Sequence, residues 1–105
     1  MDNLRDRGIT VLAVDDEEFN LDLIELAFAE HRHVEVHRAV NGAEAMALLP
    51  DVRPDVVLLD LAMPVMNGFD VLAAVRDDPA WRHLSVIVVT ANAEEKNRAL
   101  AAGAN

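Results

Sequence analysis

The sequence predicts an α/β domain built on a doubly wound parallel sheet, and two observations lead to that prediction. Short apolar runs rich in β-branched residues alternate with segments whose apolar residues recur at helical spacing, in the order β-α-β-α-β-α-β-α. Such alternation favours right-handed crossovers, parallel strands and helices on both faces of the sheet, which gives three layers. With 105 residues, 52% of them hydrophobic, the chain has enough apolar side chains for one core and one domain.

Four apolar segments have the composition of strands. The first is a continuous apolar run rich in β-branched residues, as expected of a central strand that is covered on both faces, and the third and fourth are also runs of Val, Ile and Leu. The second is interrupted by Glu35, His37 and Arg38, which indicates a partly exposed edge strand. The predicted strands are residues 9–14, 34–40, 55–59 and 85–89.

The helices are predicted from apolar spacing and from residues that start or stop helices. The second is expected to stop before Pro50, because proline has no amide hydrogen and disfavours helix in the residue before it. Gly103 is expected to close the last helix, since glycine tolerates a left-handed cap. The pairs Asn41-Gly42 and Asn67-Gly68 are interpreted as turns. The predicted helices are residues 17–30, 43–49, 68–77 and 93–102.

Charge and composition exclude several classes of function. Nineteen acidic and nine basic residues give a formal net charge of −10, which repels nucleic acid and anionic membrane surfaces. The absence of cysteine excludes disulfides and thiolate metal sites. Residues 1–8 lack the apolar core of a signal peptide, and no apolar run approaches the ~20 residues of a membrane span. The sequence therefore predicts a cytoplasmic protein that binds neither nucleic acid nor membrane.

Polar residues directly follow three of the predicted strands and form the candidate site. Asp15 and Asp16 follow the first strand, Asp60 the third and Thr90 the fourth. Because the carboxyl ends of parallel strands meet at one edge of a sheet, we expect these side chains to converge. Crowded carboxylates repel one another unless a cation balances them, and Mg²⁺ prefers oxygen ligands. A carboxylate that does not bind the ion can act as a nucleophile and form an acyl phosphate. The simpler alternative for Asp15-Asp16 is a solvated turn that caps the following helix.

In these motifs the chain resembles a response-regulator receiver domain, the phosphoacceptor module of two-component signalling. The Asp-x-x-Met-Pro-x-x-x-Gly pattern that starts at Asp60 is the longest of the matching pieces, which together span nearly the whole chain. The resemblance implies a flavodoxin-like fold with strand order 2-1-3-4. The matching pieces are Val14-Asp15-Asp16-Glu17, Leu59 to Gly68, Val89-Thr90-Ala91 and Gly103-Ala104.

The resemblance also implies a role for each candidate residue. Asp60 would accept a phosphoryl group from a histidine kinase or phosphotransfer protein. Asp15, Asp16, Asp60 and the backbone carbonyl of Ala62 would hold Mg²⁺. Thr90 would supply the hydroxyl that moves toward the phosphoryl group. The implied function is a phosphorylation-dependent switch that at most promotes its own phosphorylation and dephosphorylation.

Two other functions remain open at the level of the sequence. One is a receiver-like interaction module that binds a partner without phosphorylation. The other is a magnesium phosphatase with an aspartyl nucleophile, which usually needs a second carboxylate two residues after the nucleophile. Ala62 occupies that position and cannot act as an acid.

The resemblance further implies a fifth strand, bearing a lysine, after Gly103-Ala104. The sequence ends at Asn105, and its one lysine, Lys96, lies on the predicted fourth helix. We therefore expect residues 1–105 to form a receiver domain that stops before its fifth strand. Either the chain is part of a longer protein, or it pairs with a second copy through the exposed fourth strand or fourth helix.

Overall fold

All four predicted strands and all four predicted helices are present in the structure, a computed structural model that describes residues 8–61, 63, 66–90 and 93–105. In chain order the elements are β1 (Ile9–Val14), α1 (Glu18–Phe28), β2 (Val34–Ala39), α2 (Gly42–Val52), β3 (Val56–Asp60), α3 (Gly68–Asp77), β4 (Ser85–Val89) and α4 (Ala93–Ala101). The strands form one parallel sheet in the order β2-β1-β3-β4. The fold class and the strand order expected from the sequence are therefore confirmed.

The main core lies on one face of the sheet, under α2, α3 and α4. Alternate strand residues such as Leu12 and Val14 of β1 belong to this core, together with Leu49 of α2 and Leu72 of α3. Because strand side chains alternate between faces, Val11 and Ala13 lie on the opposite face, which α1 covers. The sheet is thus the middle of three layers.

Part of the face that carries α1 is open to solvent. The apolar residues whose helical spacing predicts α1 include Phe19, Leu23 and Leu26, yet these side chains are 68%, 48% and 71% exposed. The buried residue of this helix is Leu21. Ile87 and Val89 of β4, the edge strand, are also exposed. The apolar spacing of α1 therefore identified the helix correctly but not the side that is buried.

The prediction that the second helix ends before Pro50 was wrong. α2 continues through Pro50 to Val52, and Arg53 follows in a left-handed conformation, with φ of 49°. Pro50 lies in the last turn of the helix, directly after the buried Leu49, so packing of the helix outweighs the loss of one backbone hydrogen bond. β1, α3 and β4 have the predicted bounds, and the other element ends differ from the predictions by at most two residues.

Asn41 and Asn67 are helix caps, not simple turns. The side chain of Asn41 accepts a hydrogen bond from the backbone N–H of Glu44, at 2.8 Å. Asn67 and Asp70 form a reciprocal capping box at the start of α3. Asparagine suits both roles, because its short side chain bonds to nearby backbone groups in turns and at helix N-termini alike.

Arginine side chains link neighbouring elements at the surface. Arg38 of β2 contacts Asp22 at 2.9 Å and Glu25 at 3.1 Å, both on α1. The hydrogen bond to Asp22, followed by the charge of Glu25, raises the pKa of Arg38. The guanidinium of Arg76 on α3 donates to the carbonyls of Gly103 and Leu84, at 2.8 and 2.6 Å.

Among the described residues, no helix has the length and apolar character needed to cross a membrane.

Candidate functional site

The parallel register places the candidate residues at one edge of the sheet. Val14 of β1 pairs with Leu59 of β3, so Asp15 and Asp60 are the next residues on adjacent strands. Asp60 in turn pairs with Val89 of β4. Thr90 follows Val89, one residue beyond the partner of Asp60. The strand ends therefore meet as the sequence predicted for an open α/β sheet.

Three carboxylates meet at this edge. One oxygen from each of Asp15, Asp16 and Asp60 lies within 4.8 Å of the other two. Asp15 is buried, at 8% exposure, whereas Asp60 is half-buried and Asp16 is exposed. The structure thus brings together three of the predicted site residues, and their roles as phosphoacceptor and ligands stay predictions.

Asp15 is held in place by two hydrogen bonds from the start of α1. The backbone N–H of Glu17 donates to one of its carboxylate oxygens at 2.9 Å, and the Asn20 amide donates to the other at 3.2 Å. Each carboxylate oxygen has two lone pairs, so each can accept one more interaction. Asn20 was not predicted as a site residue, because its five-residue separation from Asp15 across a strand-to-helix connection gives no periodic signal.

The acidic cluster has the donors that Mg²⁺ requires. Oxygen ligands of Mg²⁺ lie about 2.0–2.1 Å from the ion, so adjacent ligands are about 3 Å apart and opposite ones about 4 Å. The three carboxylate oxygens lie up to 4.8 Å apart, so they must move slightly closer together to bind one ion. Asp16 is exposed and can rotate, whereas Asp15 is already fixed. The cluster therefore fits a magnesium site of two or three carboxylates, and Ala62, whose carbonyl was predicted as a further ligand, lies outside the described residues.

Thr90 hydrogen-bonds to α4. Its hydroxyl Oγ1 lies 3.4 Å from Oε1 of Glu95, a half-buried residue in the first turn of that helix. The sequence predicts Thr90 at the strand end but does not single out Glu95. The five-residue separation across a strand-to-helix connection gives no periodic signal, so only the folded chain identifies this pair.

Gly68 allows α3 to start directly against the end of β3. Its backbone N–H donates to the Leu61 carbonyl at 3.0 Å. A Cβ atom added at Gly68 would lie 2.5 Å from the carbonyl oxygen of Asp60 and 2.7 Å from Leu61 Cα. Only glycine fits at this position, because a side chain would collide with the backbone of β3 and the residue after it. The start of α3 therefore packs directly against the backbone that carries Asp60.

A cavity of about 280 Å³ adjoins the acidic cluster. Its polar end is formed by Asp15, Asn20 and Asp60, and its walls are apolar side chains of α1 and the strands. Asp60 is therefore accessible from this side of the molecule. The apolar lining residues are Val14, Leu23, Ile24, Leu58 and Val89.

The family model of the response regulator receiver domain matches residues 11–105. This chain belongs to the receiver domain family. Among curated relatives, the response regulator PleD of Caulobacter vibrioides is 41% identical over 81 residues, 77% of the chain but only 18% of PleD. The polar-differentiation response regulator DivK of Brucella anthropi is 38% identical over 82 residues, 78% of the chain and 66% of DivK. The matched part of this chain thus covers less than two thirds of the length of these relatives.

Solved receiver structures have the same fold. The chemotaxis protein CheY4 of Vibrio cholerae superposes with a TM-score of 0.82 at 31% identity, over 93% of this chain and 82% of that one. The phosphorylated cyanobacterial phytochrome response regulator RcpA gives a TM-score of 0.83 at 30% identity, over 93% and 77% of the two chains. A response regulator from Chloroflexus aurantiacus gives 0.86 at 28% identity, over 93% and 81%.

Family membership fixes the general character of the site. The receiver domain is a regulatory phosphoacceptor module of two-component response regulators. Its acidic triad is typical of the magnesium site of such a domain.

Proposed function

We propose that Asp60 accepts a phosphoryl group from a histidine kinase or phosphotransfer protein in a Mg²⁺-dependent step. The observation that carries this proposal is the meeting of three carboxylates, one oxygen of each within 4.8 Å of the others, at the carboxyl edge of the sheet. Asp60 is the member at the end of the third strand, half-buried and open to the adjoining cavity. That combination suits a nucleophile that an incoming phosphate must reach.

The transfer is a single displacement at phosphorus. A carboxylate oxygen of Asp60 forms the new O–P bond while the P–N bond to the kinase histidine breaks, and the electron pair of that bond leaves with the imidazole nitrogen. The Thr90 hydroxyl donates a hydrogen bond to an oxygen of the transferring group. The Asp15 carboxylate keeps its position during the transfer, because Glu17 and Asn20 donate hydrogen bonds to it.

Asp15, Asp16 and Asp60 would hold the magnesium ion, together with the carbonyl of Ala62. When bound, the ion neutralises negative charge on the cluster and on the phosphoryl group. The solved relative RcpA was obtained as a phosphorylated response regulator, which supports the same chemistry for this chain.

Phosphorylation of Asp60 would change the surface around α4, which begins at Ala93, three residues after Thr90. A second copy of the chain is a further partner in this proposal, through the edge of β4 or through α4. The exposed Ile87 and Val89 on the edge strand favour such pairing. Light scattering at micromolar concentration tests it, and a folded monomer at all concentrations would exclude it.

The test of phosphorylation is the intact mass after treatment with acetyl phosphate, with and without Mg²⁺. The wild-type chain should gain one phosphoryl group only with Mg²⁺, and Asp60→Asn should gain none. Asp51→Asn, which removes the same charge from an exposed position on α2, is the matched control and should behave as wild type. A phosphoryl group that persists in Asp60→Asn would disprove the assignment.

The alternative is an interaction module that works without phosphorylation. It predicts that Asp60→Asn and wild type bind the same partner with equal affinity, whatever the phosphodonor. A difference between the two forms after phosphodonor treatment excludes that alternative.

A further inference from the structure

We infer that Glu95 of α4 is a positioning residue that holds the Thr90 hydroxyl in the unphosphorylated chain and releases it when Asp60 is phosphorylated. The inference rests on the proposed function, in which Thr90 donates to the phosphoryl group. It adds a residue that restrains this step and connects the site to α4.

The contact between these residues is direct but long. Thr90 Oγ1 donates to Glu95 Oε1 across 3.4 Å, whereas most O–H···O hydrogen bonds are about 2.7–2.8 Å. A bond of this length is weak, so Thr90 can exchange it for a better acceptor. A contact that is to be broken in every signalling cycle needs that property.

Burial distinguishes Glu95 from the other charged residues of α4. Glu94, Lys96 and Arg98 are exposed, whereas Glu95 is half-buried. Glu95 lies four residues before the buried Ala99, so both are on the helix face that is turned toward the sheet. An acidic residue in the first turn also interacts favourably with the helix dipole, but that benefit applies to Glu94 as well.

The threonine hydroxyl has one proton and can therefore donate one hydrogen bond at a time. In the unphosphorylated chain Glu95 is an acceptor for it. A phosphoryl group on Asp60 adds negative charge and new acceptor oxygens at the end of the adjacent strand, beside Thr90. The phosphoryl group then competes for the Thr90 proton and also repels the Glu95 carboxylate.

This competition makes Glu95 a restraint on phosphorylation. Because Thr90 must leave Glu95 before it can donate to the phosphoryl group, removing Glu95 should make the transfer faster. The net contribution of one hydrogen bond corresponds to about a fivefold change in an equilibrium or rate. Release of Glu95 also frees the first turn of α4 in the phosphorylated form.

The test compares initial rates of phosphorylation by acetyl phosphate with Mg²⁺ in four chains. We expect Glu95→Ala to be about fivefold faster than wild type, and the charge-matched control Glu94→Ala to stay within about twofold of it. In a Thr90→Val background, Glu95→Ala should change nothing further, because the hydroxyl it restrains is gone. Equal acceleration by both glutamate variants, or acceleration that survives in Thr90→Val, would overturn the inference.

A second measurement needs no phosphodonor. The methyl resonance of Thr90 reports the side-chain environment by NMR, and it should shift in Glu95→Ala but not in Glu94→Ala. An unchanged Thr90 resonance in Glu95→Ala refutes the contact. Failure of the proposed function and failure of the Glu95 inference are therefore distinguishable. A wild-type chain that gains no phosphoryl group overturns the proposed function, whereas the NMR experiment tests the Glu95 contact without any phosphorylation.

Discussion

Replacing Gly68 with alanine tests whether the close fit of α3 against β3 positions Asp60. The new Cβ atom would lie 2.5 Å from the Asp60 carbonyl oxygen and 2.7 Å from Leu61 Cα, where real Cβ contacts under 3.0 Å are essentially never seen. Both obstacles are backbone atoms, so the strand end or the helix must move by roughly half an ångström. Overpacking of this kind costs about 1–3 kcal/mol, and the better helix propensity of alanine returns about 0.5–1 kcal/mol.

The expected net effect is therefore a loss of about 1–2 kcal/mol in the free energy of unfolding, measured by urea denaturation. Because the displaced atom belongs to Asp60, the rate of phosphorylation of the folded chain should also fall, by about tenfold. Val75→Ala is the matched control. Val75 is buried in the same helix, seven residues after Gly68, and its truncation costs about 2 kcal/mol without adding an atom against the β3 backbone.

The two variants should thus have similar stability but different phosphorylation rates. If Gly68→Ala is as stable as wild type, the steric reasoning is wrong. If it is destabilised but phosphorylated as fast as Val75→Ala, the fit of α3 does not position Asp60.

Three further predictions concern the metal, the surface and the second helix. Asp15→Asn should weaken Mg²⁺ binding roughly tenfold or more in calorimetry, and unchanged affinity would remove Asp15 from the site. Arg76→Met should lower the free energy of unfolding by about 1–3 kcal/mol in a urea titration, because the carbonyls of Leu84 and Gly103 lose their donor; a neutral result would mean that water replaces it. Pro50→Ala should raise the melting temperature by restoring a backbone donor in α2, and a lower one would show that proline is preferred there.

The site was predictable from the sequence wherever a strand leads directly into it. The apolar run of β1 ends at Asp15, and that of β3 ends at Asp60. Parallel pairing then places these two side by side, because their preceding residues are register partners. The motif around Asp60 and the Thr90-Ala91 pair supplied the family resemblance, which the match over residues 11–105 confirms.

Predictions failed where local preference and packing disagree. Pro50 marked a helix end by its missing N–H, but the neighbouring Leu49 is buried in the core and α2 continues past the proline. The spacing of Phe19 and Leu26 identified α1 correctly, yet both side chains are exposed. Periodicity shows that a helix has an apolar face, and only the neighbouring layers decide how much of that face is covered.

The sequence by itself determined the order of strands and helices, the parallel sheet and the carboxylates at its edge, since these follow from hydrophobic periodicity and from residues adjacent to strand ends. The tertiary structure alone decided that Asn20 orients Asp15, that Glu95 binds Thr90 and that Gly68 lies against the Asp60 carbonyl. Each of these contacts forms only if separate elements are placed relative to one another to within a few tenths of an ångström. Such distances are set by how helices pack against a twisted sheet, and no pattern along the chain encodes them.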